Sequence, residues 1–306
     1  MKIFLTGHNG FIGGYMVERL KDRHELSFLQ HDLRDHQAVA LQVKTVNPDI
    51  IVHLAARTEV QDSFYEQVTF SEVNYTGTVN LIEAARECSN LKNFVFASTM
   101  EVYGWQPISD VIKEGKEDPD NIPAFDETTP PNPNAPYAVA KYGCEKYLEY
   151  AHRSYGLPFT AIRQTNAYGR HDNDFFVTEQ IITQMLDNPD EINLGYGEPY
   201  RNFIFIEDLL DAWQTVIENP DKCNGDIFCI GPNNPIKIKN YVDLIAKKLN
   251  WTGKVNWDTK PPRPGEIYLL NSVPTKIKQK LGWEPKVTLS DGVDRTIELW
   301  KNKQQK

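Results

Sequence analysis

Cysteine is scarce in this chain of 306 residues: Cys88, Cys144, Cys223 and Cys229 are its only thiols, and none stands in a C-x-x-C pair. A disulfide scaffold and a four-thiolate zinc site are therefore excluded, and a reduced, cytoplasmic protein is expected. The seven histidines show no H-x-x-x-H spacing, so no metal site is expected. Nowhere do the apolar residues run for the roughly 20 positions that a membrane span needs. The chain passes from Met1-Lys2 directly into a short apolar strand, which does not read as a signal peptide. Positive charge is also in deficit, with 33 Lys and Arg against 42 Asp and Glu and a net charge of −9. That balance argues against nucleic acid or an anionic membrane as the main partner, but leaves room for a local basic pocket facing an anionic small molecule. There is no G-x-S-x-G elbow of a serine hydrolase and no basic–aromatic stripe.

What the chain does contain is an alternation of strands and helices. Residues 2–5, 26–29, 50–54, 94–97 and 159–162 read as short apolar strands. Residues 11–20, 38–46, 73–85 and 136–155 read as amphipathic helices between them. Apolar strands alternating with helices predict an α/β fold with a doubly wound parallel sheet covered on both faces. The length allows two lobes, and the alternation weakens after about residue 165. A first lobe over 1–165 and a smaller, more irregular lobe over 166–306 are expected, with part of 200–232 packing back on the first. Residues 105–136 break the pattern with closely spaced prolines and an acidic stretch over 114–120. They read as a surface loop, placed where a loop can cover a substrate.

Two local motifs carry chemistry. Gly7, Gly10 and Gly13 follow the first strand and open the first helix. Glycine permits the tight turn and the close approach of backbone, while the helix N-terminus offers N–H groups and a positive dipole to a diphosphate. The second motif is Tyr137-Ala138-Val139-Ala140-Lys141, whose spacing puts the phenol and the ammonium on one helix face. A free tyrosine, with a pKa of about 10, is a poor base at neutral pH. A fixed ammonium within a few ångströms is expected to favour the phenolate and lower that value. The pair then suits removal of a hydroxyl proton while a bound nicotinamide takes the hydride.

With these motifs the chain resembles the extended short-chain dehydrogenase/reductases, the family of nucleotide-sugar epimerases and dehydratases. The resemblance extends through His53-Leu54-Ala55-Ala56, Asn74-Tyr75-Thr76-Gly77-Thr78 and the stretch from Ala97 to Gly104. It continues through the stretch from Arg163 to Gly169, the stretch from Arg201 to Asp208, Arg263-Pro264-Gly265-Glu266 and Leu281-Gly282-Trp283-Glu284-Pro285. It implies a Rossmann-type fold and a nucleotide-sugar substrate. It implies cofactor contacts from Gly7, Asn9, Gly10, Phe11, Ile12, Gly13, Asp32, Leu33, Leu54, Ala55, Ala56, Asn74, Tyr137 and Lys141. Substrate contacts are implied from Thr99, Met100, Glu101, Asn166, Arg201, Arg263 and Glu266. Thr99, Tyr137 and Lys141 match the family's Ser/Thr-Tyr-Lys triad, and Arg201 and Arg263 match arginines that grip the substrate diphosphate, work suited to a planar fork. A homodimer through the helix of Tyr137 and Lys141 and the helix holding residues 74–85 is a further expectation from the resemblance.

One departure bears on the reaction. Dehydratases of the family commonly read Thr-Asp-Glu where this chain reads Thr99-Met100-Glu101. The aspartate protonates the leaving 6-hydroxyl and the glutamate removes the C5 proton; a thioether cannot donate a proton. A 4-epimerase, acting through a 4-keto intermediate, is therefore preferred. A 4,6-dehydratase or decarboxylase using Glu101, and an NADPH-dependent keto-deoxysugar reductase, are the alternatives. A second departure is the short segment from Leu29 to Asp35, where Asp32 fits a ribose- or adenine-contacting acid and Arg34 stands close by. NAD is favoured, with NADP not excluded.

Overall fold

The computed structural model of the chain describes residues 1–170 and 173–304. Strands β1 (Lys2–Thr6), β2 (Glu25–Phe28), β3 (Ile50–His53), β4 (Asn93–Thr99) and β5 (Phe159–Gln164) join a sixth strand, Asp226–Ile230, in one sheet. All its pairings are parallel, in the order Asp226–Ile230, β5, β4, β3, β1, β2. Both faces are buried, which is why the strands read as near-continuous apolar runs. Ile3 and Leu5 of β1 pack with Met16 and Leu20 of α1 (Phe11–Leu20) and with Leu209 and Trp213 of the helix Ile206–Glu218. Phe4, between them, faces Val39 and Val43 of α2 (His36–Val46) and Leu148 of the helix Pro136–Tyr155. The expected Rossmann-type doubly wound sheet is therefore present. Its strand order reverses between β1 and β3, which opens a crevice at their carboxyl ends.

The helix Pro136–Tyr155 has the limits read from the sequence. Pro136 occupies its first turn, and Gly156 ends it in the left-handed region at φ +71°. The helix expected over 73–85 is different. It begins with Gln67–Phe70, widens into a π-helical stretch over Ser71–Thr76, and resumes as Gly77–Ala85. Two contacts lie at the widening. The Asn74 carboxamide is fully buried and bridges both backbone groups of Arg57, at 2.8 and 2.9 Å. At Gly77 a Cβ would stand 2.7 Å from Cβ of Leu33. Such widened turns often occur at functional sites.

Residues 105–136 are more ordered than a surface loop. They contain the helix Ile108–Lys113, whose Ile112 joins Met100, Tyr103, Phe125, Tyr200 and Leu269 in an apolar cluster. Phe125 exchanges backbone hydrogen bonds with Asn271 and Val273. Glu117 accepts from Lys237 Nζ at 2.7 Å and from the Tyr200 hydroxyl at 3.3 Å. The prolines mark the bends and hide this helix from a periodicity reading. The remaining strands are short, and residues Asn166–Tyr168 pair with Phe203–Phe205. Among the described residues no helix is long and apolar enough to cross a membrane.

The segment ahead of the last helix, Leu289–Gln304, is held by Asp208. Its buried carboxylate accepts from the backbone N–H groups of Lys286 (3.0 Å) and Val287 (2.8 Å). A hydrogen bond to a charged acceptor contributes about 1.5–3 kcal/mol. Asp208→Ala should therefore lower stability by about 2 kcal/mol or more in urea unfolding, and Asp208→Asn, which keeps an acceptor, should lose less. Equal stabilities of the two variants would contradict this anchoring role.

Candidate active site

The first glycine turn closes on itself and on the loop after β3. Gly7 has φ +72°, and a Cβ there would lie 2.7 Å from the Ala55 nitrogen. A Cβ on Gly13 would lie 2.0 Å from the Gly7 carbonyl oxygen. Gly10 donates to the Gly7 carbonyl at 3.1 Å and precedes α1 without any side-chain cap, and no acidic residue sits in the first turn. This cradle, at the switch point of the sheet, fits the diphosphate of a dinucleotide. Asn9 is exposed, and Phe11 and Ile12 are half-buried at the mouth. Leu54, Ala55 and Ala56 line the neighbouring loop, fixed by the Ala55 N–H donating to Thr6 Oγ1 at 3.1 Å. Both ends of the Asn74 carboxamide are engaged by the Arg57 backbone, which fixes that loop beside the cradle.

Beyond β2, Asp32 is exposed and Leu33 buried. Asp32 pairs with Arg34 through two side-chain bonds, at 3.0 and 2.7 Å, and these hold its carboxyl down at about 2. The open hollow beside it is lined by Asp32, Arg34, Asp35, Glu72 and Thr76.

Thr99, Glu101, Tyr137 and Lys141 are brought together, all buried, where β4 meets the start of the helix Pro136–Tyr155. Thr99 Oγ1 accepts from the Glu101 N–H at 3.1 Å and lies close enough to the Tyr137 phenol to favour its charged form. The electrostatics differ from the sequence expectation. The Tyr137 phenol is pushed well above its ordinary value by burial first and by the Glu101 carboxylate second, against the smaller opposing effect of Thr99. Lys141 does not lower it. Its ammonium donates to the Ala97 carbonyl at 2.8 Å, lies 6.0 Å from the centre of the Tyr137 ring, and is itself pushed down to about 8 by burial. Desolvation outweighs the attraction expected from helical spacing, because both groups leave water together.

Glu101 joins this site to the C-terminal segment. Its carboxyl is pushed up by burial, an effect partly offset by Arg263 and Arg201. Arg263 stands 3.9 Å away, and Oε2 of Glu101 has no hydrogen-bond partner. Gly265 permits this approach, since a Cβ there would lie 2.4 Å from the Asn134 carbonyl oxygen, three residues before Tyr137. Arg201 is buried and donates to the carbonyls of Tyr200 (2.9 Å) and Ile267 (2.7 Å) and to Glu266 (2.8 Å). Met100 is buried against apolar neighbours. Asn166 presents a buried Oδ1 without a partner. Sequence reasoning did not single out Ser98, Tyr103 and Glu145, and quoted Arg163 without a role. These four form a buried network against the same helix.

Comparison with known proteins agrees with this geometry. The family described as GDP-mannose 4,6 dehydratase matches residues 20–296. Human dTDP-D-glucose 4,6-dehydratase is 29% identical over 98% of this chain and 90% of its own length. The UDP-glucose 4-epimerase of Thermotoga maritima, solved with UDP-glucose, superposes with a TM-score of 0.85 at 27% identity over the whole of both chains. The Thermus thermophilus UDP-glucose 4-epimerase, solved with NAD, gives 0.85 at 27% identity over 98% of this chain and 99% of that one. The chain is an enzyme of the extended short-chain dehydrogenase/reductase class. Within that class it belongs to the GDP-mannose 4,6-dehydratase family.

The depressed Lys141 makes stability depend on pH. Below about 8 both folded and unfolded lysine are charged, and the folded state bears the full burial penalty. Between about 8 and 10.5 the unfolded chain holds the extra proton, so folding gains stability as pH rises. Relative to Lys141→Met, the wild type should gain stability across that window in denaturant titrations; a constant difference would contradict the burial of a charged Lys141.

Proposed function

We propose that this protein is an NAD-dependent nucleotide-sugar 4-epimerase acting through a 4-keto intermediate. NAD would supply the hydride acceptor and donor and, when oxidised, a positive charge. Tyr137 takes the 4-hydroxyl proton and later returns it, with Thr99 orienting that hydroxyl. Because the protein's own groups hold Tyr137 as a neutral phenol, its deprotonation needs the charges that the ligands bring. Lys141 and the glycine cradle hold the dinucleotide, and Asn166, Arg201, Arg263 and Glu266 face the nucleotide diphosphate and sugar. Arg201 acts in part by fixing Glu266. Residues 1–165 serve the cofactor and 166–306 the nucleotide sugar, with 105–135 as a strap against the second set. The enzyme works in the cytoplasm as a homodimer.

The observation that carries epimerisation over dehydration is Met100, buried in an apolar cluster beside Glu101. It offers no proton to a leaving 6-hydroxyl. Dehydration with Glu101 as the C5 base is the second reading, favoured by that buried carboxyl with its unpartnered Oε2. Incubation with UDP-, GDP-, dTDP- and CDP-hexoses decides between them. The expected result is a sugar inverted at C4; a 4-keto-6-deoxy product would refute the epimerase reading. Tyr137→Phe should abolish turnover while leaving the protein folded.

NAD is favoured over NADP because the hollow beside Arg34 carries three carboxylates, of which Asp32 and Glu72 both pair with its guanidinium. Asp32→Ala leaves Arg34 only the longer pairing with Glu72 and should raise the NADP-to-NAD affinity ratio about tenfold, worth about 1.4 kcal/mol. An unchanged ratio would remove Asp32 from the discrimination.

A further inference from the structure

The helix that carries Tyr137 and Lys141 also carries Glu145, one turn further on and fully buried. Its Oε1 accepts from Ser98 Oγ at 2.5 Å and from Arg163 Nε at 3.0 Å, and its Oε2 accepts from Arg163 Nη2 at 2.7 Å. Nη1 of Arg163 donates to the Tyr103 hydroxyl at 2.8 Å, and that hydroxyl donates to the Asp126 carbonyl at 2.5 Å. The ion pair is 3% and 0% exposed. Ser98 immediately precedes Thr99 on β4. Tyr103 closes the short 3-10 helix Met100–Tyr103 that carries Glu101.

Stability alone is a poor reason for such a network. Taking two charges out of water costs several kcal/mol per ion, and apolar replacements of similar volume are often neutral or stabilising. What directional bonds add is register. Here they link the catalytic helix, β4, β5 and the turn bearing Glu101, and every one of those elements bears on the position of the reacting groups. We infer that Ser98, Glu145, Arg163 and Tyr103 are positioning residues that hold Thr99 and Glu101 in register with Tyr137. The inference rests on the reading of Tyr137 as proton carrier.

Ser98→Ala and Tyr103→Phe each remove one hydroxyl at an end of the network and leave the ion pair in place. The test is kcat and KM per folded molecule on the nucleotide sugar that the wild type turns over, with NAD binding and the unfolding midpoint measured alongside. A displacement of about 1 Å costs on the order of 100-fold. The expected result is a kcat lowered roughly ten- to hundredfold, with KM and NAD affinity within about threefold, because only orientation at the reacting atoms is lost. A kcat per folded molecule equal to wild type in both variants, whatever happens to the midpoint, reduces the network to a structural role and overturns the inference. So does a loss confined to KM. A wild type that oxidises no nucleotide sugar is seen before any variant is made; it defeats the functional reading itself and takes this inference with it.

Discussion

The site depends on one helix that takes a phenol, an ammonium and a carboxylate out of water together. Tyr137, Lys141 and Glu145 follow one another along Pro136–Tyr155, and all three are buried. Buried polar and charged groups need partners inside the protein, so the sheet beneath must answer them individually. The Ala97 carbonyl takes the ammonium, Thr99 the phenol, and Ser98 with Arg163 the carboxylate. Three consecutive residues of β4 thus meet the chemistry of one helix. The rest of the fold, from the apolar strands to the helices on both faces, keeps those two elements in place.

This arrangement changes how Tyr137 is understood. Helical spacing suggests that Lys141 activates the phenol directly, but the protein alone holds the phenol neutral and the ammonium weakened. A neutral phenol avoids holding an unpaired charge in a dry site. Glu101 fits the same pattern. Its buried carboxyl raises the phenol further and is itself moderated by Arg263 and Arg201.

Local features of the fold were legible in the sequence, and long-range ones were not. The glycine turn declares itself because three glycines at fixed spacing follow a strand. The limits of the Tyr137 helix are marked by Pro136 and Gly156. Five of the six parallel strands follow from apolar runs alternating with helices, whereas the sixth, Asp226–Ile230, returns to the sheet from far along the chain and has no such local sign. The widened turn at Ser71–Thr76 has no sequence signature, since it answers contacts with Arg57 and Leu33. The helix Ile108–Lys113 is too short for periodicity to stand out among prolines. The pairings of Glu145 with Arg163, and of Glu101 with Arg263, join residues that only the folded sheet brings together. The direction of the Tyr137 shift was misread for the same reason: spacing gives neighbours, whereas burial decides the sign.

The central claim is that a hydride leaves C4 of the sugar and returns to C4 while Tyr137 carries the hydroxyl proton. The most direct measurement follows a nucleotide sugar labelled with deuterium at C4 through one full conversion in ordinary water. The account requires the label at C4 of the inverted product. Deuterium found at C6, or lost to solvent, would contradict it.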